Sequence, residues 1–155
     1  MTPSSPPLYV IALGSNRRGR HGAPVDEIRA ALDAIGGLVA VAPIIETAPL
    51  GPAQRRYANS VAVIASDEAP EQLLARLKNI EKAFGRRGAR RWGDRVIDLD
   101  IVLWSQGAWA SDDLIIPHPA FRERRFVLDP LVRIAPRWRD PLTGLTVRQL
   151  AARLR

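Results

Sequence analysis

From Leu8 onward the apolar and polar positions fall into short, separate blocks. Leu8-Tyr9-Val10-Ile11-Ala12-Leu13 is an apolar run ended by Gly14-Ser15-Asn16 and predicts a strand. A basic loop, Arg17 to Gly22, follows. Pro24 then opens a helix at its favoured first-turn position, with Asp26 and Glu27 in that turn. Val25, Ile28, Ala31, Leu32 and Ile35 keep the helical period, and Gly36-Gly37 stops it. Leu38 to Ile45 predicts a second strand. Thr47 to Pro52 is a proline- and glycine-rich loop, and Tyr57 to Ala65 predicts a third strand. Pro70 opens a second helix, which carries Leu73, Leu74, Leu77, Ile80, Glu81 and Phe84 along one side and ends at Gly85. In the fourth strand Ile97, Leu99, Ile101 and Leu103 alternate with Val96, Asp98, Asp100 and Val102, placing both aspartates on the face opposite the large aliphatics.

The order is β-α-β-β-α-β, the split βαβ or ferredoxin-like arrangement: an α+β sandwich with one antiparallel sheet and both helices on one face. Beyond Trp104 the pattern becomes irregular. Leu114-Ile115-Ile116 predicts a short edge strand, Pro117-His118-Pro119 a rigid turn, Phe121 to Val132 a partly helical stretch, and Val147 to Leu154 a terminal helix. These read as loop insertions and a C-terminal extension. Met1 to Pro7, rich in proline and serine, reads as a disordered tail and not a signal peptide. Residues 8–155 are then a single domain.

Composition narrows the function classes. With no cysteine, a disulfide framework, a thiolate metal site and a cysteine nucleophile are excluded, and the cytoplasm is the expected location. No apolar run approaches a membrane span, so no membrane partner is expected. The net charge of +7 implies polyanionic partners. The excess is arginine, since Lys78 and Lys82 are the only lysines; a GC-rich genome explains that bias as well as function does.

The charge gains meaning where it meets the fourth strand. Residues 86–95 carry five arginines, two glycines and Trp92, and they run directly into Asp98 and Asp100. Adjacent carboxylates repel unless cations sit between them, and such hard oxygen ligands suit Mg²⁺ shared with substrate phosphates. Guanidinium groups pair with phosphates in bidentate fashion. The stretch therefore suggests metal-assisted phosphoryl transfer, with a polar strand face beside a solvated loop as the equal alternative. Taken singly, Glu81 reads as a surface charge and Tyr57 as a core tyrosine beside an edge asparagine, Asn59. His21 sits in a loop with no partner nearby in sequence, and a single His118 in a turn is more often structural or solvated. No G-x-x-x-x-G-K-[ST] motif or paired-histidine metal motif occurs.

The order of the weak signals is more specific. Leu13-Gly14-Ser15-Asn16, Thr47-x-Pro49-Leu50-Gly51-Pro52, Tyr57-x-Asn59, Glu81, Arg91-Trp92-Gly93-x-Arg95-x-x-Asp98-Leu99-Asp100, Pro117-His118 and Arg124-x-Phe126 succeed one another. From about Tyr9 to Pro136 the chain resembles the 6-hydroxymethyl-7,8-dihydropterin pyrophosphokinases of folate biosynthesis. The resemblance implies transfer of pyrophosphate from ATP to the pterin's hydroxymethyl group, with release of AMP. It implies that Asp98 and Asp100 hold two Mg²⁺ ions, that Tyr57 and Phe126 sandwich the pterin, and that Asn59 reads its edge. It further implies that Thr47 and Leu50 touch the pterin through backbone groups. Glu81, Trp92, Arg95, His118 and Arg124 match nucleotide or phosphate contacts, Arg86 and Arg95 match catalytic arginines, Arg86 and Trp92 a mobile loop, and Asn16 a conformationally important position. Ala48 and Asp94 stand where the family usually has proline, and Lys78 where glutamine is common. The arginine loop is about one residue shorter than usual, which leaves the roles of Arg86, Arg87, Arg90 and Arg91 individually open.

A basic ferredoxin-like domain also invites an RNA-binding reading. Against it, Ser60-Val61-Ala62-Val63-Ile64 offers no aromatic on its strand, and the acidic pair repels a phosphate backbone in the absence of metal. The expected partners are therefore ATP and the pterin, without nucleic acid, acting on a monomer.

Overall fold

The computed structural model of the chain describes residues 5–47, 57–85 and 96–154. Its strands are β1 (Leu8–Ser15), β2 (Leu38–Val41), β3 (Ile45–Thr47), β4 (Tyr57–Ala65), β5 (Asp98–Trp104), β6 (Trp109–Ala110) and β7 (Ile115–Ile116). Its helices are α1 (Pro24–Ile35), α2 (Pro70–Ala83), α3 (Arg125–Ile134) and α4 (Val147–Arg153), with a 3₁₀ turn at Phe121–Glu123. The main sheet runs β2-β4-β1-β5, and β3 extends β2 along the same edge of β4. All of its pairings are antiparallel. The expected second strand is thus two pieces. The break contains Pro43, which has no N–H to give a ladder. The expected edge strand near Ile116 pairs instead with β6, in a separate two-stranded ladder.

Each sheet face has its own core. On one, Tyr9, Ile11, Leu13, Ala62, Ile64, Leu99 and Ile101 pack against Ile28, Leu32 and Ile35 of α1 and Leu73 and Leu77 of α2. Each fully buried aliphatic of this kind is worth about 1.5–3 kcal/mol. Both helices open with proline, and a side chain three residues past the cap accepts the cap N–H: Asp26 from Ala23 at 3.0 Å and Gln72 from Ala69 at 2.9 Å. Arg76 joins the pair by gripping Glu68 and donating to the Ile35 carbonyl at 2.8 Å.

The opposite face is covered by the C-terminal extension. Val10, Val61, Val63, Val102 and Leu103 pack against Phe121, Val127, Leu128 and Leu131, and against Val147 and Leu150 of α4. α1 and α2 share one face and α3 and α4 the other, so the sheet is sandwiched between two helical layers. Leu103 departs from the expected alternation. Val10 pairs with Leu103 while Ile11 pairs with Ile101, so Val102 is an extra residue in β5. This bulge turns Val102 and Leu103 together toward the second core.

Candidate active site

The bulge lies beyond the acidic pair, so Asp98 and Asp100 keep their shared face. Asp98 stands opposite Gly14 of β1, and Asp100 opposite Ala12. Across β1, Gly14 also stands opposite Asn59 of β4. Asn59, Gly14 and Asp98 therefore form one row across three strands, with the two side-chain-bearing ends roughly 10 Å apart. The middle position contributes only a hydrogen atom. A Cβ built on Gly14 would lie 3.2 Å from Asn59 Oδ1. The row is a floor over which a flat group can lie with a carboxamide at one end and carboxylates at the other.

Tyr57 precedes Asn59 by two residues in β4 and shares its face. It is 43% exposed, which removes the core-tyrosine reading. Phe126, in the first turn of α3, is 45% exposed. A large exposed aromatic on each of two elements that pack together is suited to stacking on a flat ring. The Arg124 guanidinium lies 5.5 Å from the Phe126 ring centroid, so one cation adjoins the stacking surface. Thr47 ends β3 opposite Tyr57 and is exposed.

The turn after β7 brings in His118. Its backbone N–H donates to the Val102 carbonyl at 3.0 Å, and its Nδ1 accepts from the Ala120 N–H at 3.1 Å. An Nδ1 that accepts carries no proton, so the neutral ring presents Nε2–H as a donor. Burial holds the His118 pKa below the ordinary histidine range; the charges of Asp100 and Asp98 oppose this, and Arg124 reinforces it. The fields of these four groups thus meet at one place. A cleft of about 380 Å³ opens beside β5, lined by Leu74, Lys78, Glu81, Asp98, Asp100 and His118 among others. Glu81 is not a surface charge. It is 5% exposed, and its Oε2 accepts the Leu99 N–H at 2.8 Å.

The donor set decides which metal fits. Among the described residues, no group of three or more His, Cys, Asp or Glu side chains could hold an ion. Two carboxylates two residues apart suit Mg²⁺, which takes one or two protein carboxylates and completes its octahedron with phosphates and water. They do not suit a zinc or calcium cage.

Contrary to the expectation that His21 has no partner nearby in sequence, it has one six residues on. The buried Glu27 accepts its backbone N–H at 2.6 Å and lies 2.9 Å from its Nδ1. The imidazole also lies 4.5 Å from the Phe84 ring at the end of α2. Glu27 therefore fastens the loop that follows β1, and Asn16 in that loop is buried. Gly19 fits only because it lacks a Cβ, which would stand 2.9 Å from Glu27 Cδ and 2.5 Å from Val96 Cγ1. In the sequence Glu27 reads only as a first-turn acid. Its place beside Ile28 on the apolar side of α1 was the available signal. Leu50, Arg86, Trp92 and Arg95 lie outside the described residues.

Comparison with known proteins gives this arrangement relatives. The family model described as 7,8-dihydro-6-hydroxymethylpterin-pyrophosphokinase matches residues 10–136. The 2-amino-4-hydroxy-6-hydroxymethyldihydropteridine pyrophosphokinase of Haemophilus influenzae is 41% identical over 131 residues, covering 81% of this chain and 79% of that one. Its namesake in Pseudomonas aeruginosa is 42% identical over 137 residues, covering 84% and 82%. Among solved structures, wild-type Plasmodium falciparum HPPK-DHPS superposes with a TM-score of 0.74 at 15% identity. That match covers 96% of this chain and 41% of the larger one, and at this identity it speaks for the fold alone.

Proposed function

The chain belongs to the 7,8-dihydro-6-hydroxymethylpterin-pyrophosphokinase family, and from that membership we propose how its own residues carry the reaction. It is a diphosphotransferase of folate biosynthesis. It moves a pyrophosphoryl group from ATP to the hydroxymethyl group of 6-hydroxymethyl-7,8-dihydropterin and releases AMP. We take the sheet as ferredoxin-like. The order β2-β4-β1-β5, with α1 and α2 on one face, supports that reading.

The observation that carries the site assignment is the row Asn59, Gly14, Asp98. The pterin lies over Gly14, stacked between Tyr57 and Phe126, with Asn59 hydrogen-bonding its edge. Thr47 and Leu50 complete its contacts through backbone groups. This orientation directs the hydroxymethyl group toward Asp98 and Asp100, which would hold two Mg²⁺ ions. When bound, these ions neutralise phosphate charge and act as Lewis acids. His118 donates its Nε2–H, and Arg124 its guanidinium, to the nucleotide or its phosphates. Arg124 also spans the two substrates, because its guanidinium rests against Phe126. Glu81 lies on the nucleotide side, with Trp92, Arg86 and Arg95 supplied by the segment before β5. Phosphoryl transfer needs positioning and charge neutralisation more than covalent help, and this inventory provides those two things.

The reaction assignment is tested by following AMP release from purified protein. AMP should appear only when Mg²⁺ and the hydroxymethyl pterin are both present, in one-to-one ratio with the pterin pyrophosphate. AMP formation independent of pterin would contradict it.

The floor position gives a more local prediction. Gly14→Ala forces Asn59 to shift by a few tenths of an ångström, and Gly14→Val fills the space itself. We expect KM for the pterin to rise roughly tenfold in the valine variant and less in the alanine variant, because small misplacements at a reacting centre are costly. The ATP KM should stay near the wild-type value. An equal rise in both would place the pterin elsewhere.

A further inference from the structure

We propose that Glu81 is a positioning residue: its carboxylate accepts the Leu99 N–H, and through that bond sets the placement of Asp98 and Asp100. The inference rests on the reading that these two aspartates hold the metal ions. Among the described residues β5 is an edge strand, with β1 on one side only. Leu99 pairs with Leu13 across that ladder, yet its N–H is directed to the other side, where Glu81 Oε2 receives it at 2.8 Å. A backbone N–H at a sheet edge requires an acceptor when water is excluded. Glu81, on the buried side of α2 and 5% exposed, reaches the one residue that lies between the two aspartates.

The same edge is fastened a second time three residues on, where the His118 N–H donates to the Val102 carbonyl. One fastening comes from α2 and the other from the turn after β7. Together they bracket Asp100 and hold the strand segment that carries both carboxylates. A carboxylate is a stronger acceptor than a neutral group, and burying it is tolerable only where donors meet it. Groups that orient metal ligands from behind typically change metal affinity 10–100-fold when altered. Glu81 acts on the metal site through the backbone and need not touch the metal.

Two conservative variants separate reach from charge. Glu81→Gln keeps the length and an acceptor oxygen but loses the charge. Glu81→Asp keeps the charge but is one methylene too short. Binding of a fluorescent, non-hydrolysable ATP analogue is titrated with Mg²⁺ for each, and hydrogen exchange is followed at the Leu99 amide. We expect Glu81→Gln, a weaker acceptor of the same reach, to fall between the wild type and Glu81→Asp in both measurements. Glu81→Asp should need about 10–100-fold more Mg²⁺ for half-maximal binding, and its Leu99 amide should exchange faster. If the aspartate variant behaves as wild type, if the two variants are equally defective, or if nucleotide affinity falls by the same factor at every Mg²⁺ concentration, the inference is overturned. An Asp98→Asn control that still raises the Mg²⁺ requirement then leaves the metal assignment standing. Wild-type binding that ignores Mg²⁺ overturns the metal reading and this inference together.

Discussion

Asp98→Asn and Asp100→Asn should each lower turnover at least about 10²–10³-fold, the loss that follows removal of one preorganised charge-stabilising group. The fold should survive both changes. The backbone pairing to Ala12 and Gly14 is untouched, and the alternate residues Leu99 and Ile101 stay buried against α2 and β1. Asparagine keeps the shape of aspartate and removes only the charge that a hard cation requires. The measurement is kcat at saturating substrates and a wide range of Mg²⁺, with thermal melting as the control. Near-wild-type activity in either variant would show that the acidic pair does not serve the reaction.

The second large effect concerns stability. Asp140 is fully buried and receives Arg122 through Nε at 2.5 Å and Nη2 at 2.8 Å. It also accepts from the Leu142 N–H at 3.0 Å and the Thr143 hydroxyl at 2.8 Å. Burial alone would push the Asp140 carboxyl up. The Arg122 bonds, the two further donors and the Arg122 charge outweigh it and bring the pKa down to about 2. A carboxylate lowered in the native state stabilises the fold above its unfolded value near 3.8, and that stability drains away as the pH falls toward 2. The contribution at neutral pH is about 2 kcal/mol. Asp140→Ala should therefore melt about 5–10 °C below the wild type at pH 7, and the gap should narrow as the pH falls from about 4 toward 2. A gap that widens on acidification would reverse the assignment. Because Arg122 sits in the 3₁₀ turn just before Arg124 and Phe126, this pair also anchors the segment proposed to meet the pterin.

What could be read from the chain divides along physical lines. The acidic pair was legible because side-chain direction in a strand is a local, period-2 property, and Asp98 and Asp100 obey it. Leu103 was not, because the bulge at Val102 arises in the register with β1, which β5's own sequence does not encode. Both helices of the first core were legible from proline starts and apolar spacing. That α3 and α4 cover the opposite face was not, since an apolar stripe says that a helix packs but not against which face. The burial of Glu81 and that of Glu27 escape the sequence for one reason. Each is a charged residue among apolar neighbours on a helix, and each is buried because a backbone N–H elsewhere needs an acceptor: Leu99 for one, His21 for the other. That need is visible only once the chain is folded. Gly14 appeared in the sequence as a strand terminator, whereas its place between Asn59 and Asp98 comes from two pairings at once.

In the proposed mechanism one acidic pair on β5 assembles the metal ions with the nucleotide. That assembly is tested most directly by counting ions. Mn²⁺ can replace Mg²⁺ as a spectroscopic probe, and paramagnetic resonance of the protein with a non-hydrolysable ATP analogue and the pterin reports how many ions bind. Two ions are expected per wild-type chain, and fewer in Asp98→Asn and Asp100→Asn. Two ions bound with undiminished affinity in both variants would contradict the mechanism.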